Sequence, residues 1–282
     1  MNISNITTEN QVYAGVFGSI MVIGLPLNAV SLCILLRRHS LTSPNAVFMV
    51  NLALSDLLLA FSLPMRIYFL ATGTWTLGIT ACLISTMLFR NNMRSGATFI
   101  TFISVDRLLA VVYPLRSRHL RTSSNAWKGA AVVWVILLVF NIPETIGLLK
   151  HLQDHKEPVC FESHHYTNVI RSAVIYIQNA VLATMLTVNI VCTIVVSWTL
   201  HTHLSDSAKV NNKVNVTVIF AMNLIIFCMC FLPVPLFVVT KSKTNISPLV
   251  CLSVVNCCLD PLIYFFSFDA FWKKKEVMGR KL

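Results

Sequence analysis

A chain of 282 residues that is 56% hydrophobic and only 12% charged, with a mean hydropathy of +0.72, does not have the polar surface of a soluble domain. The net charge of +11 would suit a nucleic-acid partner if the bases shared one surface, but they are scattered over separate connecting segments. Composition therefore predicts a multi-pass membrane protein and excludes a nucleic-acid-binding domain.

Seven apolar stretches are each long enough to cross about 30 Å of hydrocarbon as a helix. The predicted spans are residues 12–36, 46–70, 80–106, 127–149, 168–200, 214–240 and 246–268. The aromatic and polybasic segment at 269–280 predicts a short amphipathic helix lying in the membrane interface. Without internal repeats or a second soluble region, residues 1–282 are predicted to form one all-α domain.

The basic residues predict which connecting segments are cytoplasmic, because lysines and arginines concentrate on that side of a membrane. Basic residues follow spans one and three, precede span six and end the chain. In that order they are Arg37 and Arg38; Arg116, Arg118, Arg121 and Lys128; Lys209 and Lys213; and Lys273, Lys274, Lys275, Arg280 and Lys281. The N-terminus is then extracellular. The polar leader lacks a basic segment ahead of an apolar core, so no cleavable signal peptide is expected, and its sequons make Asn2 and Asn5 predicted glycosylation sites.

Seven of the nine cysteines lie well within apolar stretches, and two stand apart from them. Cys82 is at the outer start of span three, and Cys160 is in the connector between spans four and five. Both face the oxidising side in the predicted topology, which favours a disulfide between them. Two free thiols remain the alternative.

Short motifs fall on successive spans in a fixed order. They are Gly24-Leu25-Pro26-Leu27-Asn28, Asn51-Leu52-Ala53-Leu54-Ser55-Asp56, Asp106-Arg107, Trp134, Phe227-Cys228-Met229-Cys230-Phe231-Leu232-Pro233 and Asn256-Cys257-Cys258-Leu259-Asp260-Pro261-Leu262-Ile263-Tyr264. Over essentially its whole length the chain resembles a rhodopsin-like (class A) G-protein-coupled receptor. The resemblance implies a plasma-membrane protein that activates a heterotrimeric G protein.

Finer matches point to one branch of that family. They are Ser62-Leu63-Pro64-Met65-Arg66-Ile67-Tyr68, Cys160-Phe161-Glu162-Ser163, Phe231 where many members carry Trp, and Asp260-Pro261 in place of Asn-Pro. These are similar to the nucleotide-receptor-like branch, in which the lysophosphatidic acid receptors and related orphans look closest. Span five departs from the family because it lacks the usual Pro and the inner Tyr.

The resemblance also assigns a G-protein switch at the inner side of the bundle. In the family, the residue matching Arg107 is held by the one matching Asp106 and is released on activation. Pro233 is expected to let span six bend outward, next to Phe231. Span seven completes the switch with Pro261 and Tyr264.

A sodium site is expected from the same resemblance. Asp56 and Asp260 are carboxylates in membrane spans and require a partner, a proton or a cation there. In the family this pair lines a sodium pocket together with Asn28 and polar residues of span three, here Asn92, with Gly96 replacing a common hydroxyl. A protonated or water-bridged pair is the alternative. No other cofactor is expected.

The outer half of the bundle carries more cations than anions. The predicted ligand-binding residues are Arg66, Arg90, Arg94, Arg171 and Lys241. Arginine forks match phosphate and carboxylate groups, so these residues predict an anionic ligand. Alternatively, the cations pair with Glu144, Glu162 and phospholipid headgroups.

Among anionic ligands, the apolar outer wall of span five favours a lysophospholipid such as lysophosphatidic acid. This wall comprises Val174, Ile175, Val181, Leu182 and Met185. A nucleotide or a small carboxylate is the alternative ligand. A transporter is a distant alternative, since matched broken helices are missing, and an enzyme is not expected because no nucleophile and base or metal motif accompanies the carboxylates.

Overall fold

The computed structural model describes residues 8–38, 41, 43–154, 160–161, 169–203, 210–240 and 246–263. Within these residues, seven apolar helical spans pack side by side, which confirms the predicted all-α bundle. The predicted interfacial helix at 269–280 lies outside the described residues, as do the sequons at Asn2 and Asn5 and the inner end of span seven.

The helices are α1 (Thr8–Arg38), α2 (Pro44–Thr72), α3 (Gly78–Val112), α4 (Ser123–Asp154), α5 (Val169–His203), α6 (Val210–Ile226), α7 (Pro233–Thr240) and α8 (Ser247–Val254). After one turn residue, the helix begun by α8 resumes and reaches Ile263 as the described part of span seven. Helices α1 to α5 run past the predicted span limits at one or both ends. A helix need not stop where the hydrocarbon ends, since polar residues continue it into the interface.

Local sequence explains how sharply α2 begins and ends. The Ser43 side chain accepts a hydrogen bond from the Ala46 amide, and Pro44 occupies the first turn, where its missing N–H costs nothing. Gly73 ends the helix with φ of 68°, a left-handed conformation that suits glycine. The connection to α3 is therefore short and tightly defined.

A π-helical segment, Phe227–Phe231, interrupts span six immediately before Pro233. Pro233 has no N–H for the carbonyl four residues earlier, and its ring would clash with that carbonyl in a regular helix. The wider π turn relieves this conflict. Span six thus consists of α6, the π segment and α7, and its regular α-helical hydrogen bonding is interrupted immediately before Pro233.

The bundle is organised around α3. Helix α2 packs against α1 and α3, and α3 packs against α4 and α5, while α8 closes the ring against α1. The core includes the fully buried side chains Leu52, Phe99, Ile100 and Phe227. On α1, α4 and α5 many large apolar side chains are exposed, as expected for surfaces that face lipid.

The disulfide between Cys82 and Cys160 is present, with the two Cα atoms 5.7 Å apart. This confirms the predicted pairing. Both sulfur-bearing residues are buried in a small outer cluster with Trp75 and Leu152, and Phe161 packs against it. The bond therefore fixes Phe161 near the outer ends of α2 and α3.

Candidate ligand-binding and signalling sites

Arg66 of α2 lies in an aromatic cage at the outer side of the bundle. Its guanidinium carbon is 5.3 Å from the ring centroid of Phe17 on α1, 5.2 Å from that of Phe89 on α3 and 4.9 Å from that of Phe161. Such distances allow cation–π attraction to all three rings. Among the described residues, no carboxylate forms an ion pair with Arg66. Its positive charge is therefore held without a described counter-anion.

Arg90 and Arg94, by contrast, are joined by a residue of the protein itself. Glu144 of α4 binds Nη1 of Arg90 at 3.2 Å and Nη2 of Arg94 at 2.6 Å. In this structure Glu144 takes the place between the two arginines, and their predicted role in binding a ligand anion stays a prediction. The alternative drawn from the sequence, pairing with Glu144, is the arrangement present.

Two amide side chains complete this group, which we call the ion cluster: Arg90, Arg94, Asn141, Glu144 and Gln178. Asn141 accepts a hydrogen bond of 2.8 Å from Arg94, and Gln178 of α5 donates one of 2.9 Å to Glu144. The cluster thus connects α3, α4 and α5. Two cations and one anion leave it with an excess of one positive charge.

Arg171 and Lys241 are the two remaining predicted ligand-binding residues. Arg171 belongs to the first turn of α5, but its side chain lies outside the described residues, and so does Lys241. The apolar wall of span five is only partly inward-facing. Leu182 and Met185 pack against the main core, whereas Val181 is 46% exposed and faces away from it.

The two carboxylates of the expected sodium site are fully buried and interact electrostatically. Asn92 donates a hydrogen bond of 2.8 Å to Oδ1 of Asp56 and accepts one of 3.2 Å from Asn256. Oδ2 of Asp56 and both oxygens of Asp260 have no hydrogen-bond partner among the described residues. Three unpaired buried oxygens beside amide and hydroxyl groups form a donor set that fits a hard monovalent cation.

Gly96 and Phe231 are in close contact beside this polar site. A Cβ atom at position 96 would lie 2.8 Å from Cζ of Phe231, closer than real Cβ contacts. The glycine therefore makes room for the ring. Ser95, one residue earlier, supplies a hydroxyl that hydrogen-bonds Ser55, so the region keeps a span-three hydroxyl at a neighbouring position.

At the inner side, Asp106 is bound by Arg121 rather than by Arg107. Nε of Arg121 lies 2.8 Å from Oδ1 of Asp106, and its Nη2 lies 3.1 Å from Oδ2. The expected ion pair between Asp106 and Arg107 is therefore not found among the described residues, where Arg121 takes the place of Arg107. Nε of Arg107 is buried and has no hydrogen-bond partner among the described residues. Pro261 lies in the seventh span, and Tyr264 falls outside the described residues.

Sequence reasoning missed a buried polar group at the junction of α3, α5 and α6. Ser104 donates a hydrogen bond of 2.7 Å to Asn189, which donates one of 2.8 Å to Thr101. Asn223 of α6 donates one of 3.1 Å to Ser104. We call Thr101, Ser104, Asn189 and Asn223 the inner amide group. Its signal in the sequence was asparagine inside two otherwise apolar helical runs.

A seven-helix membrane bundle with an outer disulfide, a cationic outer site and a charged inner end has the architecture of a transmembrane receptor. Residues 27–264 match the model of the 7 transmembrane receptor (rhodopsin family), and the chain belongs to that family. At the family level it is therefore a multi-pass membrane receptor and not an enzyme.

Named receptors are similar to this chain over most of their length. Lysophosphatidic acid receptor 6 of Gallus gallus is 33% identical over 94% of this chain and 94% of its own length. Lysophosphatidic acid receptor 4 of Homo sapiens is 32% identical over 92% of the chain and 75% of its length, and lysophosphatidic acid receptor 5 of Bos taurus is 30% identical over 91% and 76%. The chain thus falls in the lysophosphatidic acid receptor-like group, as its motifs predicted.

Proposed function

We propose that this receptor binds an extracellular anionic lysophospholipid, of the lysophosphatidic acid type, and activates a heterotrimeric G protein at the plasma membrane. The observation that carries the ligand class is the Arg66 guanidinium, which is caged by three rings and has no described counter-anion. Desolvating a cation is costly, so an anion that completes the site is strongly favoured. Similarity to receptors named for lysophosphatidic acid supports the same class.

A nucleotide or a small carboxylate is the second candidate. The rings of Phe17, Phe89 and Phe161 could stack a base, but in this structure their faces are turned to the guanidinium of Arg66. An acyl chain needs only apolar contact, and Leu182 and Met185 on α5 are apolar side chains that the protein core buries only in part. The geometry therefore favours the lipid.

The test compares oleoyl lysophosphatidic acid, a uridine nucleotide and a small dicarboxylate in cells that carry chimeric G-protein reporters. We expect a response to the lysolipid that Arg66→Gln abolishes at equal surface expression. Arg66→Lys keeps the charge but not the planar cation, and should respond only at higher concentrations. Arg118→Gln, an exposed inner change, is the control. A response to the nucleotide alone would overturn the ligand assignment.

We propose in addition that Asp56, Asp260 and Asn92 hold a sodium ion. We also propose that the N-terminus is extracellular, which sets the orientation of the bundle in the membrane. The unpaired oxygens of the two carboxyl groups support the sodium site. Bound sodium would supply the positive charge that two buried carboxylates require. Thermal stability of the purified receptor should rise when potassium is replaced by sodium, and Asp56→Asn should remove the difference. Equal stability in both salts would contradict the proposal.

A further inference from the structure

The ion cluster contains two cations and one anion, an excess of positive charge that helix packing alone does not require. Arg94 is firmly bound, because one terminal nitrogen meets Asn141 and the other meets Glu144 at 2.6 Å. Arg90 is bound more loosely, through one terminal nitrogen at 3.2 Å from Glu144. Its Nε and second terminal nitrogen have no partner among the described residues. Arg90 therefore has N–H donors that no described residue pairs.

Exposure separates the two arginines in the same way. The Arg90 side chain is 28% exposed and that of Arg94 is 17% exposed, against 12% for Glu144. Arg90 also follows Phe89 in the chain, and the Phe89 ring contacts Arg66. Arg66 and Arg90 therefore both border the outer half of α3. An anion that enters beside Arg66 therefore reaches Arg90 before it reaches Arg94. Arg90 can turn its free donors toward that anion.

We propose that Glu144 acts as an internal counter-anion that the anionic group of a ligand displaces from Arg90, and that Gln178 passes the change to α5. This inference rests on the proposed function, because it needs an anionic ligand. A phosphate or carboxylate offers Arg90 a bidentate contact that Glu144 does not make here. Once Arg90 turns away, the freed oxygen of Glu144 must find another donor.

Gln178 is well placed to respond to this change. Its bond to Glu144 is the one side-chain hydrogen bond between α4 and α5 among the described residues. When Arg90 leaves, Glu144 shifts toward Arg94 and Gln178, which changes the position of α5 relative to α4. Helix α5 lacks the proline at which family members bend this helix, so a polar contact with α4 supplies a different point of control.

The first test is Glu144→Gln, which keeps the shape and the hydrogen-bond acceptor but removes the competing charge. Oleoyl lysophosphatidic acid should then act at concentrations about tenfold lower, the effect of removing one desolvated competing charge. In an Arg90→Gln background the same change should have no effect, because the contested cation is gone. Thr145→Val, the adjacent change on α4, is the matched control, and surface expression is measured for every variant.

The second test is Gln178→Leu, which leaves the two arginines and Glu144 in place. We expect unchanged lysolipid binding with a reduced maximal response, since the contact to α5 is lost. Asn179→Leu is its matched control, because among the described residues Asn179 bonds only the Ile175 carbonyl of its own helix. If the unmodified receptor responds but Glu144→Gln leaves potency equal or lower, this inference fails and the proposed function stands. If neither the unmodified receptor nor Glu144→Gln responds to anionic lysolipids, both this inference and the proposed function fail.

Discussion

Asn28 of α1 donates a hydrogen bond of 2.6 Å from its side-chain amide to the main-chain carbonyl of Cys257 in span seven. That carbonyl would normally accept from the residue four positions later, which is Pro261 and has no N–H. Asn28 therefore supplies the donor that the proline removes. Gly24 lets the two helices approach, because a Cβ there would lie 2.6 Å from Sγ of Cys257.

Replacing Asn28 by Leu should destabilise the receptor, because the buried Cys257 carbonyl would lose its donor and leucine supplies none. We expect the free energy of unfolding to fall by about 1–3 kcal/mol. Thermal unfolding of the detergent-solubilised receptor measures this. Ser19→Ala is the control, since the one side-chain hydrogen bond of Ser19 within the described part of the chain goes to the Gly15 carbonyl, on the exposed side of α1. Equal midpoints for both variants would contradict the role given to Asn28.

Replacing Gly96 by Ala should also be destabilising, because the methyl group would lie 2.8 Å from the Phe231 ring. Overpacking of this kind costs about 1–3 kcal/mol. A smaller side chain at position 231 should relieve this overpacking. Phe231→Leu combined with Gly96→Ala should therefore lose less stability than the sum of the two single changes. Gly18→Ala is the control, since no described atom outside the local helix backbone lies within 4 Å of a Cβ there. Strict additivity would show that the two residues do not conflict.

The pairing of Asp106 with Arg121 makes a prediction about G-protein signalling. If Arg121 is replaced by Gln, the buried Asp106 carboxylate loses a bidentate cation and the adjacent Arg107 becomes its nearest replacement. Arg107 would then be held on α3, and the maximal G-protein response should fall. A reporter assay at matched surface expression measures this, with the exposed Arg118→Gln as control. An unchanged or higher response would show that Arg121 does not keep Asp106 from Arg107.

The sequence predicted the bundle because span length and apolar composition are properties of each helix alone. It also predicted the disulfide, because the distribution of basic residues already placed Cys82 and Cys160 on one side of the membrane. Both predictions need no knowledge of how the helices rotate. Helix ends were less accurate, since α3 continues to Val112 after the predicted end of the span.

The sequence did not predict which side chains form ion pairs inside the bundle, because the pairs depend on which helix faces pack against each other. Glu144 was recognised as one of several alternative partners for Arg90 and Arg94, but only the packing of α4 on α3 selects it. Likewise, Arg121 is 15 residues from Asp106 in the chain, and only the fold of the inner connector brings the two side chains together.

The inner amide group yields the last prediction, because it ties α6 to α3 where the family resemblance requires span six to bend outward. Asn223 is buried, donates to Ser104, and has a side-chain oxygen with no partner among the described residues. Asn223→Leu removes the tie to α3 and the unpaired oxygen together. Moving α6 outward then no longer breaks a buried hydrogen bond, so basal G-protein signalling should rise about fivefold, the effect of about 1 kcal/mol.

Ser104→Ala should raise basal signalling by a similar amount, and combining it with Asn223→Leu should add little, because both changes break the same bond. Thr217→Val is the matched control on α6, since Thr217 is exposed. Basal signalling is measured without added ligand at equal surface density. If Asn223→Leu leaves basal signalling at the level of Thr217→Val, the hydrogen bond to Ser104 does not restrain α6. If the two tested changes add fully, they act through separate contacts rather than through one tie between α3 and α6.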